Sequence, residues 1–290
     1  MKKMYRTTGL LVLLIGVLVG CNSGRETSSS STANAGSSSE SASVSSSTED
    51  SHEASSSISE TPEATKSSSV EASAVSTEVG TSPETQAEAV LNQLAQIYPS
   101  DRLPTAILTA KTKNYVSAAT TATSEQANYR ILYYAEDQPI AVNSTELNAL
   151  KAIASFERMT FQSEAEAKSE VGKLEDYGGQ TVDLGFGITG YQQGAAGSTY
   201  LTWPEGNWNL TIKASNSEGE DPVALGKDVV AYLEEKMLPA PNTDGTIQLD
   251  VGENGDSQTN SVIWQEKNVV YKVHHFNAMQ AVKMAASTNF

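Results

Sequence analysis

The sequence predicts an α+β domain over residues 85–290: an antiparallel sheet of repeated β-hairpin-plus-helix units, with the helices packed on one face. Three observations carry that expectation. Helix-start signals recur at Ser82, Ser163 and Asp221, each followed by apolar residues at helical spacing. Alternating apolar and polar residues fill the intervals. A Trp-x-Glu-x-Asn motif occurs at Trp203 and again 61 residues later at Trp264. Isolated hairpins are marginal in water, so such units must share a sheet and pack helices against it.

In chain order, Ser82-Pro83 caps a first helix carrying Val90, Leu91, Leu94 and Tyr98. Tyr133 to Val142, with acidic Glu136 and Asp137 before Pro139, reads as a loose hairpin. Ser163 and Glu166 form a capping box for a helix with Ala167, Val171 and Leu174 on one stripe. From Tyr200 to Lys213, Leu201, Trp203, Trp208, Leu210 and Ile212 fall on one face. Pro204-Glu205-Gly206-Asn207 makes the turn, which sets Trp203 opposite Trp208. Asp221-Pro222 opens a helix with Val229, Val230, Leu233 and Met237, stopped by Pro239 and Pro241. The second hairpin turns Val262, Trp264, Val269, Tyr271 and Val273 inward, and a last helix runs from Asn277 through Ala285.

Candidate sites are few. Gly185 to Gly190 matches the glycine spacing of a dinucleotide loop, but Tyr191 to Ser198 is polar and leads to a strand, so it reads as a strand connection. Glu205 and Glu266 occupy equivalent turn positions and suggest paired carboxylates for glycoside hydrolysis; hairpin tips are ordinarily solvated, which argues against it. Trp203, Trp208 and Trp264, with Glu205, are candidate surface or ligand contacts, although their register favours the core. His274 and His275 are neighbours at a strand end, where side chains point to opposite faces, and read as a surface pair. Asp250, Glu253, Asn254 and Asp256 collect oxygen ligands, but their spacing is that of a polar turn and not of an EF-hand. No catalytic set, metal site or cofactor is expected.

The amino terminus is more explicit. Lys2, Lys3 and Arg6 precede an apolar run from Gly9 to Val19, about half the roughly 20 residues of a membrane span. Leu18-Val19-Gly20-Cys21 then resembles the lipobox of bacterial lipoproteins, which implies a signal peptide over 1–20 cut between Gly20 and Cys21. The resemblance further implies an acyl (palmitate-type) lipid on Cys21 and a Gram-positive cell membrane, with the chain on its extracellular face. The globular part resembles only Gram-positive lipoproteins of no assigned activity. Cys21 is the single cysteine, so disulfides, thiolate zinc sites and thiol catalysis are excluded. Residues 21–84 are Ser/Thr-rich and without aromatics, and read as a disordered linker of roughly 45 Å mean span.

The formal net charge is −16. Nucleic acid and anionic wall polymers are repelled by that balance, which favours neutral or cationic partners. The sequence thus points to a non-enzymatic binding or interaction module, attached to the membrane by its N-terminal lipid. Its partner would be a protein, a cell-wall or a small-molecule ligand. A carrier of a hydrophobic ligand and a wall-active hydrolase using carboxylates are the alternatives.

Overall fold

The computed structural model describes residues 81–172, 177–253 and 255–288. Cys21 with its leader, the linker up to Gly80, Leu174 and Asn254 lie outside the described residues. The described chain is an α+β domain: a ten-stranded, mostly antiparallel open sheet with four α-helices.

The N-terminal part comprises α1 (Pro83–Ile97), β1 (Tyr115–Thr120), β2 (Tyr129–Glu136), a 3₁₀ turn (Thr145–Ala149), β3 (Ala154–Thr160) and α2 (Glu164–Val171). Then come β4 (Gln180–Asp183), β5 (Thr189–Ala195), β6 (Ser198–Glu205), β7 (Trp208–Ser215) and α3 (Pro222–Glu235). The chain closes with β8 (Gly245–Asp250), β9 (Asn260–Glu266), β10 (Val269–His275) and α4 (Ala278–Ala286). Across the sheet the order is β1-β2-β3-β10-β9-β8-β7-β6-β5-β4. The last strand therefore lies between β3 and β9 and joins the first three strands to the rest.

The helix starts form as their sequences dictate. Ser82 Oγ accepts from the Thr85 amide at 3.2 Å, and Asp221 Oδ1 from the Val223 amide at 2.9 Å. Asn277 caps α4 by accepting from the Gln280 amide. At α2, Ser163 Oγ accepts from the Glu166 amide, but the Glu166 carboxylate reaches back to the Gln162 amide, one residue beyond the expected box. Each cap supplies an acceptor to a first-turn N–H that has no partner within the helix.

Several expectations need correction. β7 and β8 pair in parallel, because α3 carries the chain back to the end where β7 began. The helices also do not share one face. Val90, Leu94, Val229, Val230, Val282 and Met284 of α1, α3 and α4 join the main core, with Leu201, Trp203, Ile212, Val262 and Val273 of the sheet. Ala167 and Val171 of α2 pack instead on Val270, whose side chain alternates to the opposite face from Val273. After β3 the chain must cross seven strand positions to reach β4 at the far edge, and α2 travels that free face.

Register differs as well. The first hairpin turns in two residues, Gly206-Asn207, with Gly206 at φ 59, while Pro204 and Glu205 remain in β6. Trp203 consequently faces Leu210, and Trp208 faces Glu205. The loose hairpin expected at 133–142 is absent; β2 pairs with β3 across a long connection holding the 3₁₀ turn. That connection covers the edge of β1, since the Asn143 amide donates to Ala118 O and Asn143 Oδ1 accepts from the Thr120 amide. Helix α3 ends at Glu235, and Lys236 is extended at φ −131, ψ 125. Met237 thus leaves the helix and is 78% exposed.

Candidate functional site

The Trp-x-Glu repeat builds the same device twice. Residues two apart on a strand share a face, so each indole lies beside the carboxylate that follows it. Trp203 Nε1 donates to Glu205 at 3.3 Å, and Trp264 Nε1 donates to Glu266 at 3.2 Å. Trp203 is fully buried, Trp264 is 2% exposed and Trp208 7%, so none offers a ring face on which a sugar can lie. All three are core residues.

Two clefts open at these hairpin ends, on either side of the segment 236–241. The first, of about 430 Å³, is lined by Ser100, Asp101, Arg102, Trp264, Glu266 and Tyr271, and it meets Pro239 and Ala240. The second, of about 480 Å³, is more apolar: Trp208, Leu233, Met237 and Leu238 line it, with Glu205 and Lys236 at its rim. It too meets Pro239 and Ala240, so the two clefts share a wall.

Asp101 gives the first cleft its chemistry. Its carboxylate accepts from Tyr129 Oη at 2.7 Å and Tyr271 Oη at 3.1 Å, and lies 3.2 Å from Arg158 Nε. A buried carboxylate needs such partners to offset lost hydration. Burial, with the nearby Asp101 charge, pushes the Tyr271 phenol up to about 12, and the same causes raise Tyr129. Both hydroxyls therefore act as donors. A run of rings lies behind them: Tyr98 on Tyr129 at 3.8 Å, Phe156 on Tyr271 at 5.9 Å, and Tyr271 on Trp264 at 5.3 Å. In the second cleft burial raises the Glu205 carboxyl, against the Trp203 hydrogen bond that lowers it, and the Glu234 charge adds to the rise.

The expected carboxylate pair is not brought together. Glu205 and Glu266 lie on β6 and β9, with β7 and β8 between them, so three strand spacings of roughly 4.8 Å put about 14 Å between their backbones. Glycoside hydrolysis requires carboxyl groups roughly 5–9.5 Å apart. Each of these is held instead by its own strand's indole.

The histidines are not a surface pair. His275 is fully buried, its Nε2 donating to Ile107 O at 2.9 Å while Nδ1 accepts from the Asn277 amide. Burial lowers both His274 and His275 to about 4; Arg130 and then Lys272 add to the effect at His274. They do point to opposite faces, with His274 set between Ser155 and Ser261. Gly185 to Ile188 is a turn between β4 and β5, closed by Leu184 N–H to Ile188 O, and no helix follows. The polar stretch after it is β5 itself. In the acidic turn, Asp250 binds Lys213 and the Gly252 amide, and Glu253 binds Lys111 and Asn277. Among the described residues no three His, Cys, Asp or Glu side chains gather as metal ligands.

Sequence reasoning missed Asp101, Arg158 and Tyr129, because they come from a loop and two strands that register alone aligns. The Tyr129↔Arg158↔Tyr271 row spans β2, β3 and β10, and no local spacing signals it. No family model, curated protein or solved structure matches the chain.

Proposed function

We propose that this chain is a non-enzymatic binding module built from a repeated hairpin-plus-helix unit and held at the outer face of the membrane by lipid on Cys21. The Ser/Thr-rich stretch that follows Cys21 and precedes α1 serves as its spacer. The lipobox-like Leu18 to Cys21 behind a cationic n-region supports the anchor. One observation above all supports the contact surface: two clefts meet at Pro239 and Ala240, beside a Met237 that is 78% exposed. An apolar anchor flanked by polar groups is the usual composition of a protein contact surface. The net charge of −16 makes the preferred partner a neutral or cationic protein segment.

Site-specific photo-crosslinking on intact cells tests this reading. A crosslinking residue at position 237 is expected to give a discrete protein adduct, and one at Phe186, the other large hydrophobic exposed among the described residues, is not. Equal labelling at both positions, or none at 237, overturns it.

A further inference from the structure

We infer that the polar cleft beside Trp264 binds a short zwitterionic peptide, its ammonium group on Glu266 and its carboxylate on Arg102. The inference rests on the contact surface proposed above and names the ligand of its polar half; it makes no use of Met237, which lines the other cleft.

Three charged side chains line this cleft: Asp101, Arg102 and Glu266. Asp101 is already answered. Its side chain is 6% exposed, lies 3.2 Å from Arg158 Nε and accepts from the Tyr129 and Tyr271 hydroxyls. Arg102 and Glu266 are both exposed, and among the described residues neither forms an ion pair. Glu266 accepts one hydrogen bond, from the Trp264 indole at 3.2 Å. The cleft thus presents one unpaired carboxylate and one unpaired guanidinium, and no other lining residue is charged.

Both groups stand on fixed supports. Arg102 directly follows Asp101, which three strands hold through Tyr129, Arg158 and Tyr271. Glu266 is held by an indole that itself stacks on Tyr271 at 5.3 Å. After burial and the Asp101 charge, the Glu266 charge also raises the Tyr271 phenol, so this carboxylate lies near the hydroxyl that binds Asp101. A support set in advance loses little freedom when a ligand arrives.

The unpaired charges choose the ligand. A simple ion would be attracted by one of them and repelled by the other, and a neutral molecule would leave both unanswered. A molecule with an ammonium at one end and a carboxylate at the other pairs with both, and a guanidinium suits a planar carboxylate. Volume sets the length. A cavity of roughly 150 Å³ holds benzene, so 430 Å³ scales to about seventeen non-hydrogen atoms, the size of a di- or tripeptide.

The test is an NMR titration of the full chain with the dipeptide alanyl-leucine, read at the indole N–H signals. The Trp264 indole, bonded to Glu266, is expected to shift saturably. The Trp203 indole, bonded to Glu205 in the same way at the second cleft, is expected to stay in place. N-acetylation or C-amidation of the dipeptide should each weaken binding about tenfold, the scale of one hydrogen bond to a charged group. Arg102→Gln should abolish the preference for the free carboxylate and keep that for the free amine; Glu266→Gln should do the reverse. Both residues are exposed, so the fold is retained. No saturable shift, equal shifts at both indoles, or equal affinity for the doubly blocked dipeptide overturns the inference. Discrimination unchanged in either variant overturns that residue's role. Met237→Ser should leave dipeptide binding intact, so a failure here is separate from a failure of crosslinking at position 237.

Discussion

Trp208 and Trp264 pack their indoles together, centroids 6.5 Å apart and planes at 52°, although their strands are not neighbours. The strand between them is β8, and the residue that faces both is Gly245. The second tryptophan of the first hairpin thus meets the tryptophan of the second hairpin, and the expected Trp203–Trp208 pair does not form. A glycine in the middle of three strands leaves the groove in which the two rings touch. A Cβ there would lie 2.5 Å from the Trp208 ring.

Gly245→Ala is therefore expected to destabilise the domain by about 2 kcal/mol, as overpacking of a dense core does. Urea unfolding followed by tryptophan fluorescence measures it. The same substitution in a Trp208→Leu background should cost clearly less, because the clash is removed; equal costs would place the strain elsewhere.

Asp101 ties a loop to three strands through Tyr129, Tyr271 and Arg158. Asp101→Ala leaves the Arg158 guanidinium without its counter-charge and two hydroxyls without their acceptor. A loss of about 3 kcal/mol is expected. Tyr129→Phe alone should cost about 1 kcal/mol. A double-mutant cycle between Asp101→Ala and Arg158→Met should give a coupling above roughly 1 kcal/mol. Additive effects would mean that the ion pair contributes nothing.

Folding stability should fall with acid in a defined window. The His275 pKa is lowered from 6.5 to about 4 by burial, so the unfolded chain binds the proton more readily than the folded one. Its contribution is complete above about pH 6.5 and is lost as the pH falls toward 4, by about 1.4 kcal/mol per pH unit. Glu205, whose pKa is raised, acts in the opposite sense at the acid end. Denaturation midpoints between pH 7.5 and 4.5, compared with those of His275→Asn, isolate the histidine term. The variant should be less stable at pH 7.5 and show a flatter profile.

The anchor has its own test. Cys21→Ser should release the chain from the membrane fraction into the medium or leave its leader attached, and the lipid mass increment on the first mature peptide should vanish. An unmodified Cys21 thiol in the native protein would remove the lipid from the proposal.

The helices and their caps were legible because they are local. Ser82, Ser163, Asp221 and Asn277 each act within four residues of chain, and all four are caps in the structure. The two hairpins were legible for the same reason, since a strand and its turn are contiguous. What failed was one step longer in range. Local pattern places Glu205 in the turn, yet the two-residue turn at Gly206-Asn207 leaves it in the strand, and the register moves by two. Met237 continues the apolar spacing of α3, but the helix ends at Glu235, ahead of Pro239. His275 looked exposed at a strand end because the Ile107 strap that buries it lies 168 residues away.

Composition and local pattern by themselves determined the α+β class, the helix starts, the paired Trp-x-Glu strands and the acidic balance, because neighbours in sequence fix backbone angles and charge. Tertiary structure alone decided that β10 enters the middle of the sheet, that β7 and β8 run parallel, and that α2 lies on the face opposite the other helices. It also brought Asp101 to Arg158 and left the Tyr133 hydroxyl without a partner. Those outcomes depend on which distant strands share hydrogen bonds. Burial across the whole sheet selects that pairing, and no short stretch of chain encodes it.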